Sequence, residues 1–311
     1  MGSLGFNNQV GSLPDNGMQE INAHPGVYSA AVINVLWSQL EPQQNVFDDS
    51  AINDALKTIA TYNATYPATP VSAKLRINAG IGTPNWVMQL TGGPISITGN
   101  AGTIQIGAFW SAPYRAAWKA LQAHLSSEFD TSSQIAEVAI SSCSSRTDEP
   151  FIASLDATSL AAMRQYGFSD TTYMACLTDA INDYSGWKNT PLDFTFNAYR
   201  NSDGTSLVEN PSFTISVMDA FRSSNGPQAV IANHGLQNPL SNAALPIYAE
   251  IQKLGPAIEF QTISPTVDWP SAIQLGLTYL PTEIEIWQTV AAGGQANLTQ
   301  TQLQQWASDL K

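Results

Sequence analysis

The chain has 311 residues, 43% of them hydrophobic and only 12% charged, with 25 acids against 12 bases and a formal net charge of −13. That charge repels nucleic acid and anionic membranes, and no apolar run approaches the roughly 20 residues needed to cross a bilayer. Both are excluded as primary partners, and the length suits a single α/β barrel, which commonly runs to about 200–300 residues.

Read in order, short β-rich runs alternate with helical stretches. A thin signal at 4–10 offers a first strand. Residues 30–37 (AAVINVLW) are nearly continuous in apolar side chains, which predicts a parallel strand buried on both faces. Ile52, Leu56 and Ile59 at helical spacing predict a helix over 50–62, followed by a strand at 71–77. The Gly- and Pro-rich segment 83–111 predicts an insertion loop over one barrel mouth, with room for a small hairpin. A helix over 114–129 and a strand over 135–141 lead into the polar turn SSCSSRTDEP.

The second half repeats the pattern. Helices near 155–166 and 171–187 precede a strand at 193–199, and a helix near 214–222 precedes one at 229–232. A helix at 244–254 precedes a strand at 257–262, and helices near 271–277 and 299–310 flank the strand 283–287. Strict alternation implies a parallel sheet, and no dinucleotide- or phosphate-binding glycine motif follows any strand. The expected fold is therefore a single-domain (β/α)8 barrel spanning 1–311 with an insertion around 83–111.

Cys143 and Cys176 are compatible with one disulfide or with two buried thiols, and neither has metal-ligand spacing. No signal peptide follows Met1-Gly2-Ser3, so any targeting segment is expected to have been removed or never to have existed. A composition poor in lysine and rich in uncharged polar residues, as in many secreted hydrolases, sets the expected location as secreted or extracytoplasmic.

In such a barrel the chemistry lies at the C-terminal ends of the strands. Those ends carry Trp37 and Glu41; Arg76, Asn78 and Trp86; Asp148 and Glu149; Asn197, Tyr199 and Arg200; Asn233 and His234; Glu259 and Gln261; and Glu283, Glu285 and Trp287. Aromatic faces stack on sugar rings, while amides, Arg and His bond their hydroxyls. The expected partner is a carbohydrate bound by Trp37, Arg76, Trp86, Asn197, Tyr199, Asn233, His234, Gln261 and Trp287, with the protein acting as a monomer.

These residues resemble the clan of retaining (β/α)8 glycoside hydrolases that includes the cellulase-like and β-galactosidase-like families. The likeness covers roughly 30–290 and rests on short motifs: Trp37-Ser-Gln-Leu-Glu-Pro with Phe47-Asp48, the Thr83-Pro-Asn-Trp86 turn, Asp148-Glu149-Pro150, His234, Ile258-Glu259-Phe260-Gln261 and Trp287. The resemblance implies that Glu149 is the acid/base and Glu259 the nucleophile. The clan has Asn before its acid/base glutamate, where this chain has Asp148. Arg76 is expected to keep Glu259 charged, Glu285 is the alternative nucleophile, and Glu41 is read as structural.

Only His24, His124 and His234 are present, in no zinc-like pairing, and no G-x-S-x-G elbow exists. The expectation is thus no metal and no cofactor. A non-catalytic sugar-binding barrel, or a transglycosylase on the same scaffold, stands as the alternative.

Overall fold

The computed structural model describes residues 3–7, 18, 21–22, 24–99, 102–147, 149–152, 155–202, 206–226, 229–264, 266–287 and 299–310. Strands β1 (Ser3–Asn7), β2 (Ala30–Leu36) and β3 (Ser72–Asn78) are followed by the hairpin β4 (Ile95–Gly99) and β5 (Gly102–Ile106). Then come β6 (Ile135–Ile140), β7 (Leu192–Thr195), the hairpin β8 (Arg200–Ser202) and β9 (Leu207–Glu209), β10 (Val230–Leu236), β11 (Ile258–Thr262) and β12 (Glu283–Trp287). The parallel strands run β1-β12-β11-β10-β7-β6-β3-β2 in one α/β barrel. β1 pairs with β12 over five positions and with β2 over two.

Helices cover the outer face because their apolar residues recur at helical spacing. The helix Ser50–Thr65 buries Ile52, Ala55, Leu56, Ile59 and Tyr62 along one stripe. Local signals fix the ends. Asn210 accepts the Phe213 amide at 3.1 Å and Pro211 opens the helix Pro211–Asn225, which stops at Gly226 with φ +64°, a conformation glycine adopts without strain.

The strand interiors explain the unusual barrel lining. Side chains alternate between faces, so Leu75 and Ile77 share one side of β3 while Lys74, Arg76 and Asn78 share the other. All five are buried. Glu137 on β6, Asp193 on β7, Glu259 and Gln261 on β11, and Glu283 and Glu285 on β12 join the inward set. Barrel interiors are commonly filled by Val, Ile and Leu; here ionisable groups occupy much of that space.

The insertion holds a helix, Asn85–Leu90, and the β4–β5 hairpin. Cys143 and Cys176 are bonded, tying the turn after β6 to the helix Asp170–Asp183. That turn also packs on the one after β3: a Cβ on Gly80 would come within 2.4 Å of the Ser144 and Ser145 carbonyl oxygens, so only glycine fits.

Strand limits differ from expectation at two places near the mouth. β7 stops at Thr195 because the chain turns out of the ladder, where Thr214 Oγ1 accepts the Tyr199 amide and the Tyr199 carbonyl accepts Asn210 N. β10 runs on to Leu236 through a register shift against β11 after Asn233, which places His234 on the strand itself.

Candidate active site

The deepest part of the site is a lysine among acids. Lys74 Nζ lies 3.0 Å from Glu137, 2.5 Å from Asp193 and 3.6 Å from Glu285, and it donates a short hydrogen bond to Glu259 Oε2. Four strands contribute these carboxyls. Burial disfavours the lysine's charge, but Asp193, Glu137, Glu259 and Glu285 outweigh it and hold the ammonium well above the usual lysine range.

Five interior carboxyls face two permanent cations, Lys74 and Arg76, and one imidazole. An unpaired buried charge is too costly to persist, so the excess is relieved by protonation. Desolvation and the neighbouring Glu259 push Asp193 well above the carboxylate range, against the pull of Lys74. Glu283 is raised well above it and Glu137 is raised, both chiefly by burial. Glu259 goes the other way. Burial opposes its charge, but Lys74, the His234 hydrogen bond and charge, and Arg76 hold it well below the usual range.

One step toward the mouth, Arg76 grips Glu285 with two bonds of 2.9 and 2.7 Å, and Gln261 Nε2 donates to the same carboxylate at 2.5 Å. Above these, one imidazole joins two glutamates. His234 Nδ1 is 2.9 Å from Glu149 Oε1, and its Nε2 is 3.4 Å from Glu259 Oε1. Asn197 Nδ2 donates to Glu149 Oε2 at 2.9 Å, and its Oδ1 accepts the His234 amide at 3.1 Å. Burial works against the imidazolium, but bonds to Glu149 and Glu259 push its pKa up to about 10. The Glu149 side chain is 14% exposed, whereas those of His234 and Glu259 are 1% exposed. Glu149 is thus the solvent end of a carboxylate–imidazole–carboxylate chain.

The structure brings together Glu149, His234, Asn197, Glu259, Gln261, Arg76 and Glu285, and it corrects several assigned roles. Arg76 binds no substrate in this arrangement, because it is 1% exposed and committed to Glu285; Lys74 is the cation on Glu259. Trp37 is fully buried against Trp86, Tyr114 and Trp118, with Nε1 bonded to Glu41 Oε2, so it is core. Tyr199 is buried between Phe196 and Phe213 and donates to the Thr195 carbonyl. Asn233 alternates away from His234, donates to the Phe196 carbonyl and accepts from Tyr248. Gln261 is 2% exposed and orients Glu285.

Trp86 is partly exposed, with Nε1 bonded to the Glu41 carbonyl, and Glu41 is structural as expected. Asp148 and the Trp287 side chain lie outside the described residues. Lys74, Glu137 and Asp193 lie within their strands rather than at the ends, where a barrel's chemistry is expected, so sequence reasoning missed them. The period-two alternation of Lys74-Arg76-Asn78 and Glu283-Glu285 was the available signal.

Among the described residues, two carboxylate-rich triads have metal-compatible spacing, His234–Glu259–Glu285 and Glu137–Asp193–Glu259. Lys74 and Arg76 already supply positive charge to both. A cavity of about 10 Å³ beside Lys74, Glu137, Glu259 and Glu283 has room for about one water. A larger groove of about 590 Å³ lies elsewhere, on the outer face along Arg115, Lys119, Asp179 and Asp183.

No family model and no curated protein matches the sequence. Solved structures share the fold. The catalytic domain of a β-amylase from Paenibacillus polymyxa superimposes with a TM-score of 0.65 at 10% identity, over 99% of this chain and 98% of that one. A cold-adapted β-galactosidase from Rahnella sp. R3 gives 0.58 at 11% identity, over 99% of this chain and 56% of that one. An endogalactoceramidase gives 0.52 at 14% identity, over 99% of this chain and 80% of that one. At these identities the likeness establishes a fold shared with (β/α)8 glycoside hydrolases and no specific family.

Proposed function

We propose that the chain is a single (β/α)8 catalytic domain that hydrolyses glycosidic bonds of a poly- or oligosaccharide with retention, using Glu149 as acid/base and Glu259 as nucleophile. The observation that carries this reading is the Glu149–His234–Glu259 chain, in which one carboxyl meets solvent and the other is held ionised. Glu149 donates a proton to the leaving oxygen while Glu259 attacks the anomeric carbon; water, activated by Glu149, then frees the sugar. In the resting arrangement the imidazole stands between the two, so the sugar takes its place on entry and His234 keeps its proton within reach of Glu149.

Asn197 fixes the orientation of Glu149, and Trp86 and Trp287 are the proposed aromatic contacts to sugar. The Cys143–Cys176 bond supports an oxidising, extracytoplasmic location. Transfer to a second sugar instead of water uses the same intermediate. A non-catalytic sugar-binding barrel is the second reading, favoured by the burial of both candidate nucleophiles, Glu259 and Glu285.

Incubation with activated 2-fluoro glycosides, followed by peptide mass spectrometry, separates these. A glycosyl adduct on the peptide containing Glu259 supports the assignment. An adduct on Glu285 moves the nucleophile to β12, and inversion of the product anomer by NMR removes the covalent mechanism.

A further inference from the structure

We propose that Lys74 is the positioning residue for the reacting carboxylate: its ammonium holds Glu259 Oε2 and leaves Oε1 facing His234 and the substrate. The inference rests on reading Glu259 as the nucleophile and goes beyond it by assigning work to a side chain that never meets the sugar.

The geometry separates the two oxygens of Glu259. Oε2 is bonded to Lys74, whereas Oε1 is buried and faces the His234 imidazole, whose Nε2 lies 3.4 Å away. A carboxylate with one oxygen anchored by a buried cation and the other turned to the imidazole is oriented for attack by the second. Lys74 stays there because it is caged. Glu137 from β6 and Asp193 from β7 lie 3.0 and 2.5 Å from the ammonium, and Glu285 from β12 approaches it at 3.6 Å. Glu283, Arg76 and His234 complete the charged groups around Glu259.

Arg76 cannot substitute for the lysine, since both its terminal nitrogens are committed to Glu285. The two cations therefore divide the two candidate carboxylates: Lys74 serves Glu259, and Arg76 serves Glu285. Among the described residues, Lys74 alone both anchors Glu259 and sits within 4 Å of four carboxyls.

The test is a titration of ¹³Cδ-glutamate-labelled protein by NMR, with Glu259→Gln identifying the resonance. Wild type is compared with Lys74→Arg, Lys74→Met and Lys74→Met/Asp193→Asn. The double variant also removes the buried Asp193 carboxyl that faces the vacated ammonium position, so it carries the test if Lys74→Met does not fold. The expected result is a Glu259 midpoint that rises by about 1–3 pH units in the methionine variants and stays near wild type in Lys74→Arg.

On any hydrolysed substrate, kcat falls about 100-fold with KM little changed, and the acidic limb of the pH profile moves up with the NMR midpoint. An unchanged Glu259 midpoint in the folded double variant overturns the inference. Full activity in Glu259→Gln is a different failure. It removes the nucleophile reading, while the titration still reports whether Lys74 controls this carboxylate.

Discussion

His234 is held by a carboxylate on each ring nitrogen, and its proton is bound far more tightly in the folded chain than in the unfolded one. An unfolded histidine titrates near about 6.5, whereas His234 does so at about 10. The stability it contributes is fully present below the unfolded value and is lost as pH rises through the folded one. Asp193, Glu137 and Glu283 have the same sign, because burial raises their folded values. Glu259 has the opposite sign: the stability it contributes is present above the unfolded carboxylate value and is lost as pH falls through its depressed folded value. Urea unfolding should therefore show stability falling steadily from about pH 6.5 to 10, with a shallower fall in His234→Gln. A flat profile in wild type over that window contradicts the assigned charge states.

Still at the residue scale, Glu149→Gln removes the proposed proton donor and should lower turnover by about 10²–10⁴-fold. Circular dichroism should be unchanged, because the glutamine still bonds to Asn197. Activity restored by added azide or formate in a variant with no acid/base carboxyl, such as Glu149→Ala, would support the role; intact activity in both variants would remove it.

At the scale of elements, the predicted and observed boundaries agree best where helix periodicity is strong. The helix predicted at 50–62 from apolar spacing is Ser50–Thr65, and the one expected at 244–254 is Ala244–Leu254. Both departures at β7 and β10 occur where side chain and backbone bonds near the mouth override strand propensity. Trp37 shows the limit of reading a site from residue type. An aromatic ring at a strand end suits sugar stacking and core packing equally, and only its contacts with Trp86, Tyr114 and Trp118 decide for the core. Trp37→Ala should cost about 3–5 kcal/mol of stability by denaturant unfolding; a loss of sugar affinity without loss of stability would contradict this placement.

The disulfide belongs to the same scale. It closes a 33-residue separation between the turn that carries the approach to Glu149 and an outer helix. By loop closure alone, its loss costs about 3–4 kcal/mol. Cys143→Ser/Cys176→Ser should therefore melt at a temperature lower by several degrees. An unchanged melting temperature would mean that the packing of the helix Asp170–Asp183 suffices to hold the turn.

For the whole molecule, the alternation of strands and helices was enough to read an α/β barrel, and solved structures with the same fold agree. The polar interior was harder to see. Each of Lys74, Glu137 and Asp193 looks like an ordinary surface residue in a half-exposed strand until the register brings them together across the barrel. Their meeting is a long-range property: Lys74 and Glu259 are 185 residues apart in sequence. Arg76 shows the same limit: its charge helps hold Glu259 ionised as expected, but its hydrogen bonds go to Glu285, and sequence alone cannot tell which of two cations two residues apart bonds which carboxylate.

The central claim is that two glutamates on one barrel mouth break glycosidic bonds. It is tested most directly by measuring release of reducing sugar from an array of plant, fungal and bacterial polysaccharides and aryl glycosides. Wild type should run beside Glu149→Gln, Glu259→Gln and Glu285→Gln. Wild type should turn over at least one substrate, the first two variants should lose activity by orders of magnitude, and the third should retain it. Binding without turnover that is unchanged across all four proteins would contradict it and leave a sugar-binding barrel.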